Sequence, residues 1–193
     1  MLGNKILETT KSSFNKDIKV VSTFGVGTYI QAGGITQSGG VVKTIWKTAL
    51  KNIGKEKVKS CLILGLGGGT VAGLVRKKYP LAKITGVEID PVMVALGKKY
   101  LGLERHGVDI KIADARKFKL KKYDLVIVDT YLGDEYVNLL GSDLSKSGVI
   151  VFNRLFYGDK KKAALEFEKK LKEIFSSVEV VKPPANIIFI CRK

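Results

Sequence analysis

Four glycines fall within six residues at Gly65-Leu66-Gly67-Gly68-Gly69-Thr70, and the residues on either side leave few folds open. Ahead of the turn runs Cys61-Leu62-Ile63-Leu64, the pattern of a strand buried on both faces. Behind it, Val71, Leu74 and Val75 recur at helical spacing up to Tyr79-Pro80. A second apolar strand, Ile84 to Ile89, then delivers Glu88 and Asp90 at its carboxyl end. Strand, glycine turn, helix, strand and acid make up the nucleotide-binding βαβ unit. Glycines let the backbone approach a ligand, and the helix start offers free N–H groups. Glu88 follows Gly65 by 23 positions (88 − 65), near the spacing at which an acid reaches ribose hydroxyls.

Upstream, Met1 to Lys16 is polar, has no hydrophobic signal core and reads as a weakly ordered start. Lys19 to Phe24 and Thr28 to Ala32 form a β-hairpin about Gly25-Val26-Gly27, and Ile35 to Ser38 adds a short strand. A helix follows over Val42 to Ile53, with Ile45, Trp46 and Leu50 as its apolar stripe. Downstream, Pro91 opens a helix to about Tyr100, and Val108 to Ile112 is a strand ending in Ala113-Asp114-Ala115. The strand Leu125 to Val128 ends in Asp129-Thr130-Tyr131. A short helix is expected over Tyr136 to Leu144, then the turn Lys146-Ser147-Gly148 and the strand Val149 to Phe152. Lys161 to Phe175 is an amphipathic helix with Ala164, Leu165, Phe167, Leu171 and Ile174 toward the core. Val178 to Val181 and Ile187 to Cys191 are too closely linked for a crossover helix and form an antiparallel hairpin.

Composition bounds the function. A chain of 193 residues with 45% apolar content buries a full core. No apolar run is long enough to span a bilayer, which excludes a membrane anchor of that kind. Cys61 and Cys191 sit in apolar runs and read as buried thiols of a reducing cytoplasm, with no metal site. The net charge of +16 raises nucleic acid as a partner, but only five of the 34 basic residues are arginines: Arg76, Arg105, Arg116, Arg154 and Arg192. Arginine is the residue expected where phosphates or bases are gripped in fixed geometry, so a solvated lysine surface is the favoured reading.

Alternating α/β units closed by a hairpin describe a Rossmann-like seven-stranded sheet whose last strand is antiparallel, with a small N-terminal β-hairpin element in front. The boundary falls near residue 55, giving segments 1–55 and 56–193. This layout resembles class I S-adenosylmethionine-dependent methyltransferases. Ligands of such sheets lie beyond the carboxyl ends of the strands, where this chain places Gly65 to Thr70, Glu88 to Asp90, Asp114-Ala115 and Asp129 to Tyr131. No Gly-Lys-Ser/Thr follows the glycines, so this is not a phosphate loop. A ligand with adenosine and no phosphate gives each group a role. Gly65, Gly67, Gly68 and Gly69 abut a methionine portion, Glu88 holds ribose hydroxyls, Asp114 accepts from the adenine amino group, and Ile89 and Ala115 sandwich the ring.

Cys61-Leu-Ile-Leu-Gly-Leu-Gly-Gly-Gly-Thr70, Val87-Glu-Ile-Asp90, Ala113-Asp-Ala115 and Tyr123-Asp-Leu-Val-Ile-Val-Asp129 resemble the successive motifs of spermidine synthases and their relatives in polyamine biosynthesis. Gly34-Ile-Thr-Gln37 is similar to that family's Asp-Gly-x-x-Gln segment. The resemblance covers roughly residues 28 to 155. It implies S-adenosylmethionine, or its decarboxylated form, as cofactor, held by Gln37, Gly65, Glu88 and Asp114. It also implies Asp129 as the group that touches the cofactor and takes a proton from an attacking amine, and a homodimer formed through the N-terminal β element. The sequence departs from the family at Gly68, which aligns with an aspartate, and at Asp129-Thr-Tyr-Leu132, where a second aspartate is missing. Trp46 stands for a tyrosine near the substrate; Tyr131 and Asp134 are further candidates to contact it, and Asp134 and Glu135 are nearby substitutes for the missing acid. A dicationic amine needs several fixed carboxylates. The sequence therefore favours methyl transfer to a small-molecule acceptor, with aminopropyl transfer to a polyamine and nucleic-acid methylation as alternatives.

Overall fold

The strand that precedes the glycine turn is the centre of the molecule. In the computed structural model, which describes residues 3–54, 57–119, 121–130 and 144–193, Ser60–Leu64 runs with Cys61 to Leu64 fully buried. Seven strands lie in one sheet: β5 (Ser60–Leu64), β6 (Lys83–Glu88), β7 (Val108–Ile112), β8 (Tyr123–Val128), β9 (Leu144–Leu155), β10 (Ser177–Val181) and β11 (Asn186–Arg192). Their order is β10-β11-β9-β8-β5-β6-β7. β5 pairs in parallel with β6 on one side and β8 on the other, so the chain reverses its direction of winding at β5 and opens a crevice at that point. β11 is antiparallel to both β9 and β10, the reversed last strand that the sequence predicts.

Helices α1 (Gly40–Asn52) and α2 (Thr70–Lys78) cover one face, where Val42, Ile45, Trp46, Ala49, Leu50, Val71 and Val75 join the sheet's core. The Lys78 ammonium donates to the carbonyls of Leu50 and Ile53 and so closes the end of α1. On the other face α4 (Lys160–Ile174) buries Ala164, Phe167 and Leu171. The Phe167 ring stands edge-on to Phe152 and Phe189 at 5.3 and 5.7 Å. Leu165 and Ile174, expected on this buried face, are 44% and 38% exposed and flank it.

The first strands form a second antiparallel sheet in the order β1 (Lys5–Thr10), β2 (Ile18–Thr23), β3 (Gly27–Ala32), β4 (Ile35–Gly39). Its Ile18, Val20, Ile30 and Ala32 pack on Met93 and Leu96 of α3 (Pro91–Leu101). The expected weak order of residues 1–16 is corrected over the described part. Lys5–Thr10 pairs with β2, and Ser12 and Asn15 donate to Asp90 at 2.5 and 2.7 Å. An edge strand carries little apolar signal, because most of it stays solvated. The expected turn at 146–148 lies within β9, where pairing with β8 jumps from Tyr123↔Leu144 to Leu125↔Val149. The helix expected at Tyr136 to Leu144 lies outside the described residues, save Leu144, which begins β9. Among the described residues no helix is long and apolar enough to cross a membrane.

Candidate active site

Sheet hydrogen bonds set the site residues side by side. Gly65 and Leu66 donate to the Val87 carbonyl, Ala113 to that of Glu88, and Asp129 to that of Leu64. These bonds bring the ends of β5, β6, β7 and β8 to one edge. Gly65 has φ +86, and a Cβ there would collide with the Asp129 carbonyl and the Thr130 methyl, so only glycine fits.

Two lobes of about 390 and 400 Å³ open along this edge and share Gln37, Gly65, Glu88, Asp129 and Thr130. One lobe adds Ile89, Ala113, Asp114, Ala115 and Arg116. The other is walled largely by apolar side chains, Ile35, Val41, Ile45, Met93, Leu155 and Tyr157 among them, with Asn15, Asn153 and Asn186. Gln37, Gly65, Gly67, Glu88, Ile89, Asp114, Ala115 and Asp129 all line this cleft.

Gly68, Gly69 and Trp46 stand behind the wall. Gly68 donates its N–H to the buried Ser38 hydroxyl at 2.7 Å, and its Cα would lie 2.6 Å from a Cβ at Gly97. Gly69 (φ +87) is the left-handed residue that starts α2. Trp46 is fully buried and donates its indole N–H to Asp129 Oδ2 at 2.8 Å. Tyr131, Asp134 and Glu135 lie outside the described residues.

Three carboxylates differ in environment. Glu88 accepts from the Gly67 and Asp90 amides at 2.7 and 3.0 Å, which fixes it between the glycine turn and α3. Asp114 is clamped by the Arg116 side chain and backbone N–H, which hold its pKa down to about 2 and keep it an acceptor. Asp129 differs: burial pushes its pKa up, the Asn153 and Trp46 hydrogen bonds oppose this, and the nearby Glu88 charge adds to it. A carboxylate so placed is suited to receive a proton.

Sequence reasoning missed Ser38, Thr70, Asn153 and Asn186. Ser38 and Thr70 stitch β4 to the glycine turn, the Thr70 hydroxyl accepting from Gly39 at 2.6 Å. Asn153 donates to Asp129 Oδ1 at 2.8 Å, and Asn186 donates to Asn153 at 2.8 Å. Position hints at Thr70, which closes the glycine turn, and at Asn153, which follows the expected strand Val149 to Phe152, but not at Ser38 or Asn186.

The family model described as the spermine/spermidine synthase domain matches residues 43–183. The chain is 32% identical over 113 residues to the polyamine aminopropyltransferase of Vibrio vulnificus, covering 50% of this chain and 38% of that protein. It is 38% identical over 58 residues to an eEF1A lysine and N-terminal methyltransferase homolog of Drosophila pseudoobscura pseudoobscura, covering 30% and 9%. The chain thus spans well under half the length of these two relatives. The fold is that of a spermidine synthase solved in complex with the transition-state analogue AdoDATO, with a TM-score of 0.76 at 18% identity over 97% of this chain and 72% of that one. The family match takes in most of α1, the glycine turn and the strand ends that carry Glu88, Asp114, Asp129 and Asn153, and the chain belongs to the spermine/spermidine synthase domain family.

Proposed function

We propose that the cleft holds an adenosine sulfonium and catalyses transfer of one of its alkyl groups to an amine. The observation that carries this is Asp129, with both oxygens held, at the junction of the two lobes. The lobe with Glu88, Asp114, Ile89 and Ala115 offers acceptors for ribose hydroxyls and an amino group, and apolar walls for a ring. The glycine at 65 leaves a cradle that a side chain would fill. When bound, the sulfonium supplies an activated carbon and a neutral thioether leaving group. Gly65, Glu88 and Asp114 would hold its adenosine part, and Asp129 would take the surplus proton from the amine nitrogen that displaces the thioether. Alignment of the two partners supplies much of the barrier reduction.

The relatives' names support an amine acceptor: polyamine in one case, lysine and protein N-termini in the other. The family match and the aminopropyltransferase name support placing aminopropyl transfer first, where the sequence favours methyl transfer. Methyl transfer is the second reading, favoured by Gly68, which puts no carboxylate in the turn. Homodimer formation through the N-terminal sheet belongs to the same proposal. Calorimetry with S-adenosylmethionine, its decarboxylated form and methylthioadenosine tests it. Tighter binding of the decarboxylated form is expected; preference for S-adenosylmethionine would select methyl transfer, and binding of none would remove the proposal.

A further inference from the structure

We infer that the turn from Pro183 to Asn186 is a positioning device for Asp129, acting through Asn186 and Asn153, so that both asparagines serve the proposed transfer without reacting. The inference rests on the reading of Asp129 given above. Its first support is directional chemistry. An ionised carboxylate only accepts, so Asn153 must turn its Nδ2 toward Asp129 Oδ1, at 2.8 Å. That leaves the Asn153 carbonyl oxygen on the opposite side, where only a donor fits. Asn186 Nδ2 supplies it at 2.8 Å. Without that donor the Asn153 amide could rotate and set its own oxygen against the carboxylate.

The second support is how Asn186 is held. It is 6% exposed, and it opens β11 opposite Leu155 of β9. Ala185 before it has φ +60, the one positive φ outside glycine among the described residues. A connector needing only to join β10 to β11 could place glycine there and avoid the left-handed strain of a residue with a Cβ. Instead the turn carries two prolines and a strained alanine. It is pinned by the Asn186 N–H to the Pro183 carbonyl at 3.2 Å and the Phe156 N–H to the Ala185 carbonyl at 2.8 Å. Pro184, Ala185 and Asn186 also wall the apolar lobe. Strain kept beside a buried polar side chain at a cleft is the pattern of a functional constraint.

The remaining groups about Asp129 do not do this task. Trp46 donates from α1 through a rigid ring with one N–H. Glu88 faces Asp129 as a like charge from the end of β6. Arg154 donates to the neighbouring Thr130 carbonyl and lies over the Phe167 ring at 4.1 Å from its centroid.

The test follows the carboxyl of Asp129 by ¹³C NMR in the whole chain without ligand, assigned with Asp129→Asn. Asn186→Ala is expected to raise its titration midpoint by roughly one pH unit, with circular dichroism unchanged. Asn153→Ala should raise it comparably, and adding Asn186→Ala to Asn153→Ala should change nothing further. Asn186→Leu, near in size and without a donor, replaces Asn186→Ala if that variant does not fold. In turnover, kcat should fall by roughly tenfold with little change in the KM for the sulfonium. An unmoved midpoint in the Asn186 variants, or additive shifts in the double variant, would overturn the inference. Failure of the wild type to bind any sulfonium would instead remove the transferase reading, while the midpoint would still decide the coupling.

Discussion

Asp129 concentrates the chemistry of the cleft, and its partners make that testable one side chain at a time. Trp46→Phe keeps most of the ring but removes the N–H that reaches Oδ2. Loss of a hydrogen bond to a buried charged group costs about 1–3 kcal/mol. The sign of the pH dependence follows from linkage. Burial raises the folded pKa of Asp129 above its unfolded value, so its contribution to stability is full below the unfolded pKa and is lost as pH rises through the folded one. Removing the Trp46 donor raises the folded value further. The destabilisation by Trp46→Phe is therefore expected to be larger at pH 7 than in acid, measured by urea unfolding at both. Equal losses at the two pH values would mean that Trp46 acts only as core filling. The carboxylates were legible in the sequence because acids at three strand ends, after a fourth that ends in glycines, stand out in apolar runs. Asn153 and Asn186 were not, because their meeting depends on the register of β9 against β11, which sets Asn153 opposite Ile188.

At the scale of elements, the glycine turn is held from outside its own βαβ unit. Ser38 at the end of β4 receives the buried Gly68 N–H, and Gly39 donates to Thr70. The N-terminal sheet thus fixes the loop against which the proposed cofactor lies. Ser38→Ala leaves the Gly68 amide buried without an acceptor, at a cost of about 1–3 kcal/mol. The expected outcome is a lower urea midpoint together with weaker binding of the sulfonium by calorimetry. A lower midpoint with unchanged affinity would separate stability from the site, and no change in either would dismiss the stitch. The periodicities were enough to read the sheet, its reversed strand and its helices, because buried parallel strands are continuous apolar runs and the α1 and α4 stripes are strong. They were not enough for β1, whose residues are mostly solvated. They also overextended the buried face of α4, where Leu165 and Ile174 lie at its margins.

For the whole molecule, charge and exposed apolar surface pull in opposite directions. A net charge of +16 on 193 residues opposes association of identical chains, and most strongly at low salt. Yet the N-terminal sheet exposes Ile6 (56%), Phe24 (78%) and Val26 (55%), the last two at the tip between β2 and β3. Water-facing phenylalanine at such a tip is removed from solvent most simply by a second copy of the same sheet, as in the proposed dimer. Light scattering is then expected to give twice the chain mass of 21.1 kDa at physiological salt. The dimer fraction should rise with salt as repulsion is screened, whereas a dimer held by ion pairs would weaken. Phe24→Asp combined with Val26→Asp should yield the single-chain mass while sulfonium binding persists, because neither residue lines the cleft. A single-chain mass for the wild type at every salt concentration would leave the exposed tip without a self-partner and count against the dimer.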